Sequence, residues 1–534
     1  MRNKILLIYP KFHKVDFDAK SFPLGLLSIG TILKQKGHEV KLIDFLVESN
    51  PMELLKNELD DNVLCVGISV MTPQILNAIE ISEYVKKYNK SSTLQRGIKP
   101  HWKDLTSASS STQQAAGYSG KVLDKDIAVV WGGIHPTLFP DQTIINPFID
   151  YLIIGEGEVS FLKLLKYFNG QEDINNIGGL IYKKDGQIIK NFEKDLIDLN
   201  DLPILDYSLL SPKTLKFDLM ILNTSRGCPY RCTFCVNISL HNRAWRFQRA
   251  PKILDELDFI INNLGYKKLK FQEDNFFVGK PRVVEILAGI KARGLKFQWL
   301  ANCRVNYFRD DFINDEFLEQ LKEAGCYKLM FGAESGSPRI LDFLRKGITI
   351  EQIIKSAQMC QKHGLRANYS FMCALPTETK EERLMTLRLV DKLLAIGPMI
   401  EIISPQPYRP YPGDELAKLC EKMGYKFPDK LEDWPAVVAK SLDSSSSNLE
   451  DFPWIKNPNE IRLQRVCSVI ATSRKTLKDY IKRYPIYLAP FIIPFYFLEK
   501  LRWKMKYFGL PFEYALFISL YWQTQKLRKR LFIK

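Results

Sequence analysis

Short apolar runs alternate with longer amphipathic stretches over the first 200 residues of the chain. The longer stretches have helical spacing, as in Leu24–Lys36, which Gly37 ends. Because the short runs are mostly apolar, they predict strands buried on both faces of a parallel, doubly wound, flavodoxin-like α/β sheet. The predicted strands are Ile5–Tyr9, Val40–Asp44, Val63–Val70, Ile127–Trp131 and Tyr151–Ile154.

The same alternation returns between about residues 215 and 425. Six apolar runs are separated there by helical stretches such as Lys252–Asn263 and Glu351–His363. Six β/α units predict a partial (β/α)6 barrel, whose chemistry lies at the C-terminal ends of the strands. The predicted strands are Leu219–Asn223, Lys267–Phe271, Phe297–Asn302, Tyr327–Gly332, Ala367–Cys373 and Met399–Ser404.

Two polar stretches divide the chain further. Residues 91–121 are rich in Ser, Thr, Gln, Gly and Ala without periodicity, which predicts an inserted flexible loop. The run Ser441–Ser447 indicates a linker or lid. We therefore predict an α/β domain over 1–200, a barrel over 215–425 and a mainly helical, basic, apolar region over 426–534.

Small and polar residues follow three strands of the first predicted sheet. In doubly wound sheets, ligands bind at the carboxyl ends of the strands. Glycines also mark ordinary tight turns, which is the alternative for any one of these segments. The residues in question are Ser69, Thr72, Gly132, Gly133, His135, Gly155 and Glu156.

Three cysteines follow the first predicted barrel strand with the spacing C-x3-C-x2-C: Cys228, Cys232 and Cys235. Thiolates are the usual ligands of iron–sulfur clusters, and three of them leave one iron open for a substrate or cofactor. A structural zinc site would need a further ligand at finger-like spacing, and His241 is not followed by a paired C-x2-C. The other seven cysteines are predicted to be small buried hydrophobes in a reducing cytoplasm.

This triplet, with its position after a first barrel strand, resembles the radical S-adenosylmethionine (SAM) superfamily. The resemblance implies a 4Fe–4S cluster on the three cysteines and SAM bound to the open iron. It also implies reductive cleavage of SAM to methionine and a 5′-deoxyadenosyl radical, with a reductant such as ferredoxin or flavodoxin as partner. By the same resemblance, SAM is contacted by Phe234, Asp274, Glu334 and Ser335.

A doubly wound domain before such a barrel resembles the cobalamin-dependent subclass, which includes methyltransferases and the anaerobic cyclase of chlorophyll synthesis. The resemblance implies cobalamin at the strand-end residues from Ser69 to Glu156 listed above. The string D-x-H-x-x-G is missing, so no protein histidine is expected on cobalt. The alternative is a vestigial or substrate-binding domain. Methylthiotransferases have a similar architecture but carry cluster cysteines in this domain, where only Cys65 stands here.

The net charge of +16 is concentrated at the C-terminal end. Residues 481–534 contain eleven Lys and Arg against Glu499 and Glu513, and thus carry +9 of it. The apolar run Tyr484–Leu498 is too short and too rich in proline to span a membrane. Interleaved basic and aromatic residues predict contact with the inner membrane face or a helical cap on the barrel, rather than nucleic-acid binding.

Taken with the resemblance, these features predict a radical SAM enzyme of the cytoplasm that methylates an unactivated carbon of an apolar, lipid-like substrate with the help of cobalamin. Two alternatives stay open. The first is a cyclase or C–C bond-forming enzyme with the same cofactors. The second is a cofactor-binding module without catalysis, against which the intact triplet argues.

Overall fold

Five parallel strands and an antiparallel hairpin form the first sheet. The computed structural model describes residues 2–12, 21–95, 126–435, 437, 449–473, 477–481 and 489–509. Its strands are ordered β2-β1-β3-β4-β5-β6-β7, and the first five confirm the predicted flavodoxin-like arrangement. Their bounds are β1 Lys4–Tyr9, β2 Glu39–Asp44, β3 Val63–Ser69, β4 Ala128–Gly132, β5 Tyr151–Ile153, β6 Leu180–Lys184 and β7 Gln187–Lys190.

The hairpin of β6 and β7 was not predicted from the sequence. Its turn is Asp185-Gly186, and both residues have positive φ, 50° and 77°. Positive φ at both central positions is typical of the type I′ turn that joins two-residue hairpins, for which Asp-Gly is a favoured sequence. The dipeptide was therefore a usable signal for this extension of the sheet.

The second sheet has six parallel strands in chain order, which confirms the six predicted β/α units. The fourth predicted strand extends through Glu334 and the sixth through Pro407, so both reach farther into the loops than the apolar pattern indicated. A two-stranded ribbon, β9 Ser225–Arg226 with β10 Arg246–Phe247, lies beyond the first strand. The six strands are β8 Met220–Leu222, β11 Lys268–Phe271, β12 Gln298–Cys303, β13 Cys326–Glu334, β14 Arg366–Cys373 and β15 Ile400–Pro407.

Helices cover both sheets, and several begin at a side chain that caps them. Thr349 and Thr379 each form a reciprocal capping box, with Gln352 and Glu382. The α-helices of the first domain are Leu24–Gln35, Pro51–Glu58, Ile75–Gln95, Ile134–Leu138, Pro140–Ile144 and Glu158–Phe168. Those of the barrel are Asn237–His241, Ala250–Asp258, Lys280–Ala292, Asp315–Glu323, Pro338–Phe343, Ile350–Lys362, Lys380–Ile396 and Glu415–Lys422.

The predicted insertion at 91–121 lies mostly outside the described residues. Residues 91–95 belong instead to the helix Ile75–Gln95, so the helical part of the chain extends into the predicted loop. The predicted linker Ser441–Ser447 also lies outside the described residues.

The C-terminal region packs on the barrel as helices Pro458–Thr472, Leu477–Ile481 and Ala489–Met505. The Trp503 indole nitrogen donates to Asp391 Oδ1 at 2.8 Å, and Lys506 pairs with the same carboxylate at 2.6 Å. These contacts fit the predicted helical cap. Within the described residues, none of the helices has the length and apolar character that a membrane span requires.

A continuous apolar core joins the two sheets. It contains Leu7 and Ile153 of the first sheet, Tyr207 of the connecting segment and Leu222 of the first barrel strand. The junction also holds polar bonds, such as Tyr207 Oη donating to Glu256 at 3.0 Å. The strand ends of the first domain therefore keep a fixed position next to the cysteine loop.

Candidate active site

The three cysteines lie in one loop that begins at a constrained turn. The ribbon strand β9 leads into Gly227, whose φ is +82° and where a β-carbon would collide with the Ala244 carbonyl oxygen. Only glycine fits such a position. Cys232 is buried, and Cys228 and Cys235 are half-buried.

The thiols are close enough to influence one another. Burial, together with the nearby charges of Cys232, Asp274 and Cys228, raises the pKa of Cys235 to about 11. The Arg304 guanidinium donates to Cys232 Sγ at 3.7 Å and stacks on the Tyr230 ring at 3.7 Å. A fixed positive group beside the thiols favours the thiolate form, which iron requires.

This donor set fits a 4Fe–4S cluster better than a single ion. Among the described residues, no three Cys, His, Asp or Glu side chains converge as the ligands of one metal ion do. A four-iron cluster receives each thiolate on a different iron, so its ligands stand farther apart. Cys228, Cys232 and Cys235 would hold such a cluster and leave one iron for another ligand.

Two adjacent acidic residues in the loop after β11 differ in their exposure to solvent. Glu273 is buried and accepts bonds from Thr224 and Ser225, with Arg282 alongside. Asp274 is exposed and lines the cavity in front of the cysteine loop. Of these two adjacent acids, only the predicted SAM contact Asp274 is accessible to a ligand.

The loop after β13 carries a buried ion pair. Glu334 has a φ of +64°, and its Oε1 lies 2.8 Å from Lys346 Nζ. Lys346 Nζ is also 5.6 Å from the ring centroid of Phe234 in the cysteine loop. Two predicted SAM contacts, Glu334 and Phe234, are thus joined through Lys346, which the sequence did not single out.

Ser335, another predicted SAM contact, is fully buried. Its hydroxyl lies 3.3 Å from Thr386 Oγ1 and accepts from the Ser337 backbone N–H at 3.1 Å. The Ser335 side chain therefore fixes this loop to the helix Lys380–Ile396.

A cavity of about 510 Å³ lies between the strand ends of the first sheet and the cysteine loop. Its barrel side includes Arg226, Gly227, Val236, Gln272 and Asp274. A second cavity of about 420 Å³ shares part of its wall. Five of the seven residues predicted at the strand ends of the first sheet line the larger cavity: Ser69, Gly132, Gly133, Gly155 and Glu156.

The other two, Thr72 and His135, are absent from the lining of both cavities. His135 is completely buried, with Nδ1 3.3 Å from Thr72 Oγ1 and its ring against Phe139 and Trp434. Burial lowers the pKa of His135 to about 3, so the ring is neutral. The His135 ring is therefore part of the packed interior of the first domain rather than of the cavity wall.

A network of four charged side chains joins the two domains at the edge of the cavity. Arg226 pairs with Glu156 at 2.5 Å and with Glu158 at 2.6 Å, and Arg246 also pairs with Glu156. We call these residues the interdomain clamp. Burial alone would raise the pKa of Glu158, but Arg226 offsets it and the pKa is lowered. The sequence singled out Glu156 at a strand end, but it gave no sign of Glu158 or of the two arginine partners.

Glu378, in the loop after β14, is a half-buried residue with one enclosed carboxyl oxygen. Its Oε2 accepts from the Leu375 backbone N–H at 3.3 Å, and within the described chain Oε1 has no hydrogen-bond partner. Burial raises the pKa of Glu378 from 4.5 to about 7.

Replacing Glu378 by Gln is expected to stabilise the protein by about 1–3 kcal/mol near pH 8 and to change little near pH 4. The folded chain retains this proton up to about pH 7, whereas the unfolded chain releases it near 4.5, so stability falls as pH rises between these values. Thermal unfolding at both pH values measures the effect. Glu381→Gln, at an exposed site, is the control; a less stable Glu378→Gln variant at pH 8 would contradict the prediction.

Comparison with known proteins identifies the barrel. The model of the radical SAM superfamily matches residues 222–390. An uncharacterized methyltransferase of Pyrococcus horikoshii is 31% identical over 425 residues, which cover 77% of this chain and 82% of the relative. The chain belongs to the radical SAM superfamily. It is therefore an enzyme that uses a 4Fe–4S cluster, SAM and a reductant on a small-molecule substrate.

Other relatives of this radical SAM enzyme are methyltransferases and cyclases. Cytidylyl-2-hydroxyethylphosphonate methyltransferase of Streptomyces wedmorensis is 22% identical, covering 80% of this chain and 83% of that protein. The anaerobic magnesium-protoporphyrin IX monomethyl ester cyclase of a Synechocystis species is 25% identical, covering 64% and 62%. The chain thus belongs to a lineage with both activities.

Solved structures share the fold along most of the chain. OxsB, described with aqua-cobalamin and S-adenosylmethionine bound, has a TM-score of 0.64 at 18% identity and covers 99% of this chain and 80% of that one. The methyltransferase TsrM from Kitasatospora setae has a TM-score of 0.61 at 18% identity, covering 79% and 77%. Both likenesses extend beyond the barrel into the first domain, since the barrel alone is much shorter.

Proposed function

We propose that this enzyme is a cobalamin-dependent radical SAM methyltransferase that acts on an unactivated carbon of an apolar, lipid-like substrate. The observation that carries the proposal is the cavity between the strand ends of the first sheet and the loop of Cys228, Cys232 and Cys235. A methyl carrier on the first domain would there face the site of SAM cleavage. The names of the Pyrococcus and Streptomyces relatives support methyl transfer.

The wall of the cavity has the chemistry that a large planar cofactor needs. Gly25, Gly132 and Gly157 line it, and a β-carbon at Gly25 would meet nothing within 4 Å. Ser69 and Glu156 add polar groups at its rim. Glycines let the backbone approach a flat ring closely, and a few polar groups then orient it. These residues would hold cobalamin.

When bound, the cluster supplies the electron that cleaves SAM, and cobalamin supplies a methyl group. The chain's own residues hold and orient the reactants. The three cysteines fix the cluster, Arg304 stabilises the Cys232 thiolate, and the Glu334–Lys346 pair and Asp274 provide charges for the SAM amino and carboxylate groups. The interdomain clamp holds the first domain against the barrel and would thereby fix the distance between the two cofactors.

An apolar cluster at the strand ends of the barrel supports the proposal of an apolar substrate. Phe234 of the cysteine loop packs with Leu375 and Tyr408, which follow β14 and β15. Trp454 of the C-terminal region covers them and donates to the Ala374 carbonyl oxygen at 2.7 Å. Phe234 and Trp454 are only half-buried, so a substrate near the cysteine loop would meet them, and an apolar substrate would gain from the contact.

Anaerobic reconstitution with iron, sulfide and cobalamin tests the proposal. We expect the optical bands of both cofactors in one protein, and 5′-deoxyadenosine together with a product one CH2 heavier when extracted lipids are supplied with SAM and reductant. Formation of 5′-deoxyadenosine without methyl transfer, in the presence of bound cobalamin, would contradict methylation.

The cobalt coordination gives a further prediction. Among the described histidines, His241 is the one that lines the cavities, and it lies on the barrel side. We expect the electron paramagnetic resonance spectrum of bound cob(II)alamin to lack nitrogen splitting from a protein histidine, unchanged in His135→Phe. Nitrogen splitting that disappears in a histidine variant would show that this histidine coordinates cobalt and would contradict the prediction.

Cyclisation is the second candidate, favoured by the cyclase relatives. The cofactors and the site residues would be the same. The product mass separates the two reactions, because methylation adds one CH2 and cyclisation by oxidation removes two hydrogens.

A further inference from the structure

The C-terminal helix Ala489–Met505 exposes a row of large apolar side chains. Ile493, Phe497, Leu501 and Met505 are 38%, 58%, 51% and 61% exposed. They are spaced four residues apart and so form one face of the helix. We call them the apolar stripe. A single exposed apolar residue is ordinary, but four in a row on one helix require an explanation.

The orientation of this helix is fixed by its opposite face. Ile492, Tyr496 and Trp503 are buried. Glu499 is buried as well and accepts from the Cys467 thiol at 2.6 Å. Together with the Trp503–Asp391 bond, these contacts prevent the helix from rotating its stripe inward. The stripe therefore lies on the side of the helix that faces away from these contacts.

The charge around the stripe is positive. Lys500 and Lys504 are exposed on the same side of the helix. Among the other described residues of this segment, Glu499 and Arg502 are buried and Lys506 pairs with Asp391. In sequence, residues 481–534 hold eleven Lys and Arg against Glu499 and Glu513. A partner must therefore be apolar at its centre and negative around it. A second copy would bring an equal positive charge to the contact, as would the basic residues Lys526–Arg530 of this chain.

We propose that the apolar stripe and its lysines dock this enzyme on the surface of an anionic lipid bilayer. Interfacial helices have this composition, with apolar side chains inserted below the headgroups and lysines extended to the phosphates. Each basic residue near an anionic leaflet strengthens binding, and salt weakens it. The docking is independent of the cofactor chemistry and would bring the barrel to a lipid substrate.

Sedimentation of the full-length, reconstituted protein with vesicles tests the proposal. The probes are vesicles of phosphatidylcholine alone and of phosphatidylcholine with phosphatidylserine. We expect binding to the anionic vesicles, weakened by salt. The double variant Phe497→Ser/Leu501→Ser should bind at least about tenfold more weakly, and Lys500→Gln/Lys504→Gln should bind more weakly with a smaller salt dependence.

Phe192→Ser is the matched control, because Phe192 is 75% exposed but lies in the first domain. It should bind vesicles like the unaltered protein. SAM cleavage by the stripe variant shows that it is folded. Equal vesicle binding by the unaltered protein and the stripe variant, or no binding by either, would overturn the proposal. So would a dimer in solution that the stripe variant converts to monomers.

Discussion

Alanine variants of Cys228, Cys232 and Cys235 are expected to lose the cluster and, with it, all SAM cleavage above background. In the proposed assignment each thiolate holds a different iron, and no other cysteine lies in this loop to replace it. The effect should exceed the roughly 10–100-fold loss that follows removal of an outer-shell partner of a metal ligand. Arg304→Leu, which removes the donor to Cys232 Sγ, should give that smaller loss.

The measurements are the visible absorption of the cluster, iron content and 5′-deoxyadenosine after anaerobic turnover. Cys326→Ala is the matched control, because Cys326 is also buried but stands at the start of β13. It should keep cluster and cleavage, with a modest loss of stability from the missing sulfur. A Cys232→Ala variant with normal cluster absorption and normal cleavage would refute the assignment.

Much of the fold was predictable because the strands of these parallel sheets are mostly apolar and bounded by polar turns. All eleven predicted strands are present, and only their ends differ. The fourth barrel strand passes through Gly332 to Glu334 because glycine there leaves room for the Glu334–Lys346 pair. The apolar pattern cannot register such an extension, since its last residues are small or charged.

The site was predictable where its functional residues lie close together in the sequence. It was less predictable where residues that are far apart in the sequence come together. The cysteine triplet lies within eight residues, so its spacing alone indicated a cluster. His135 stands in a Gly-Gly turn beside the cavity, yet the short helix Ile134–Leu138 directs its ring into the core. The direction of a side chain after a strand depends on the conformation of the backbone that follows. The residue types alone do not predict that conformation.

The interdomain clamp shows the same limit more strongly. Glu158 and Arg226 are separated by 68 residues and belong to different predicted domains. Nothing in either segment indicates the other. Arg226 stands two residues before Cys228 in the sequence. Its two carboxylate partners, Glu156 and Glu158, line the proposed cobalamin site. The clamp therefore links the cysteine loop to the proposed cobalamin site.

Arg226→Met is expected to destabilise the protein by about 3–5 kcal/mol. The Glu158 side chain is only 4% exposed, and its remaining partner, the Ser28 hydroxyl, cannot balance a buried negative charge. Removal of one member of a buried ion pair leaves this uncompensated charge, which costs more than the pair itself contributes. Because Arg226 lowers the pKa of Glu158, the contribution of the pair is present at neutral pH and is lost as pH falls below the ordinary Glu value.

Urea unfolding under anaerobic conditions measures this cost. Lys34→Met is the matched control, since Lys34 pairs with Asp206 at 2.6 Å but is 48% exposed, and an exposed pair contributes about 0–1 kcal/mol. Glu158→Gln added to Arg226→Met should recover part of the loss, because it removes the unpaired charge; neighbouring sites of this kind couple by about 0.5–3 kcal/mol.

The cysteines are intact in these variants, so SAM cleavage should persist while less methylated product forms per 5′-deoxyadenosine. A cost below 1 kcal/mol with an unchanged product ratio would mean that the clamp neither stabilises the junction nor aligns the two cofactor positions.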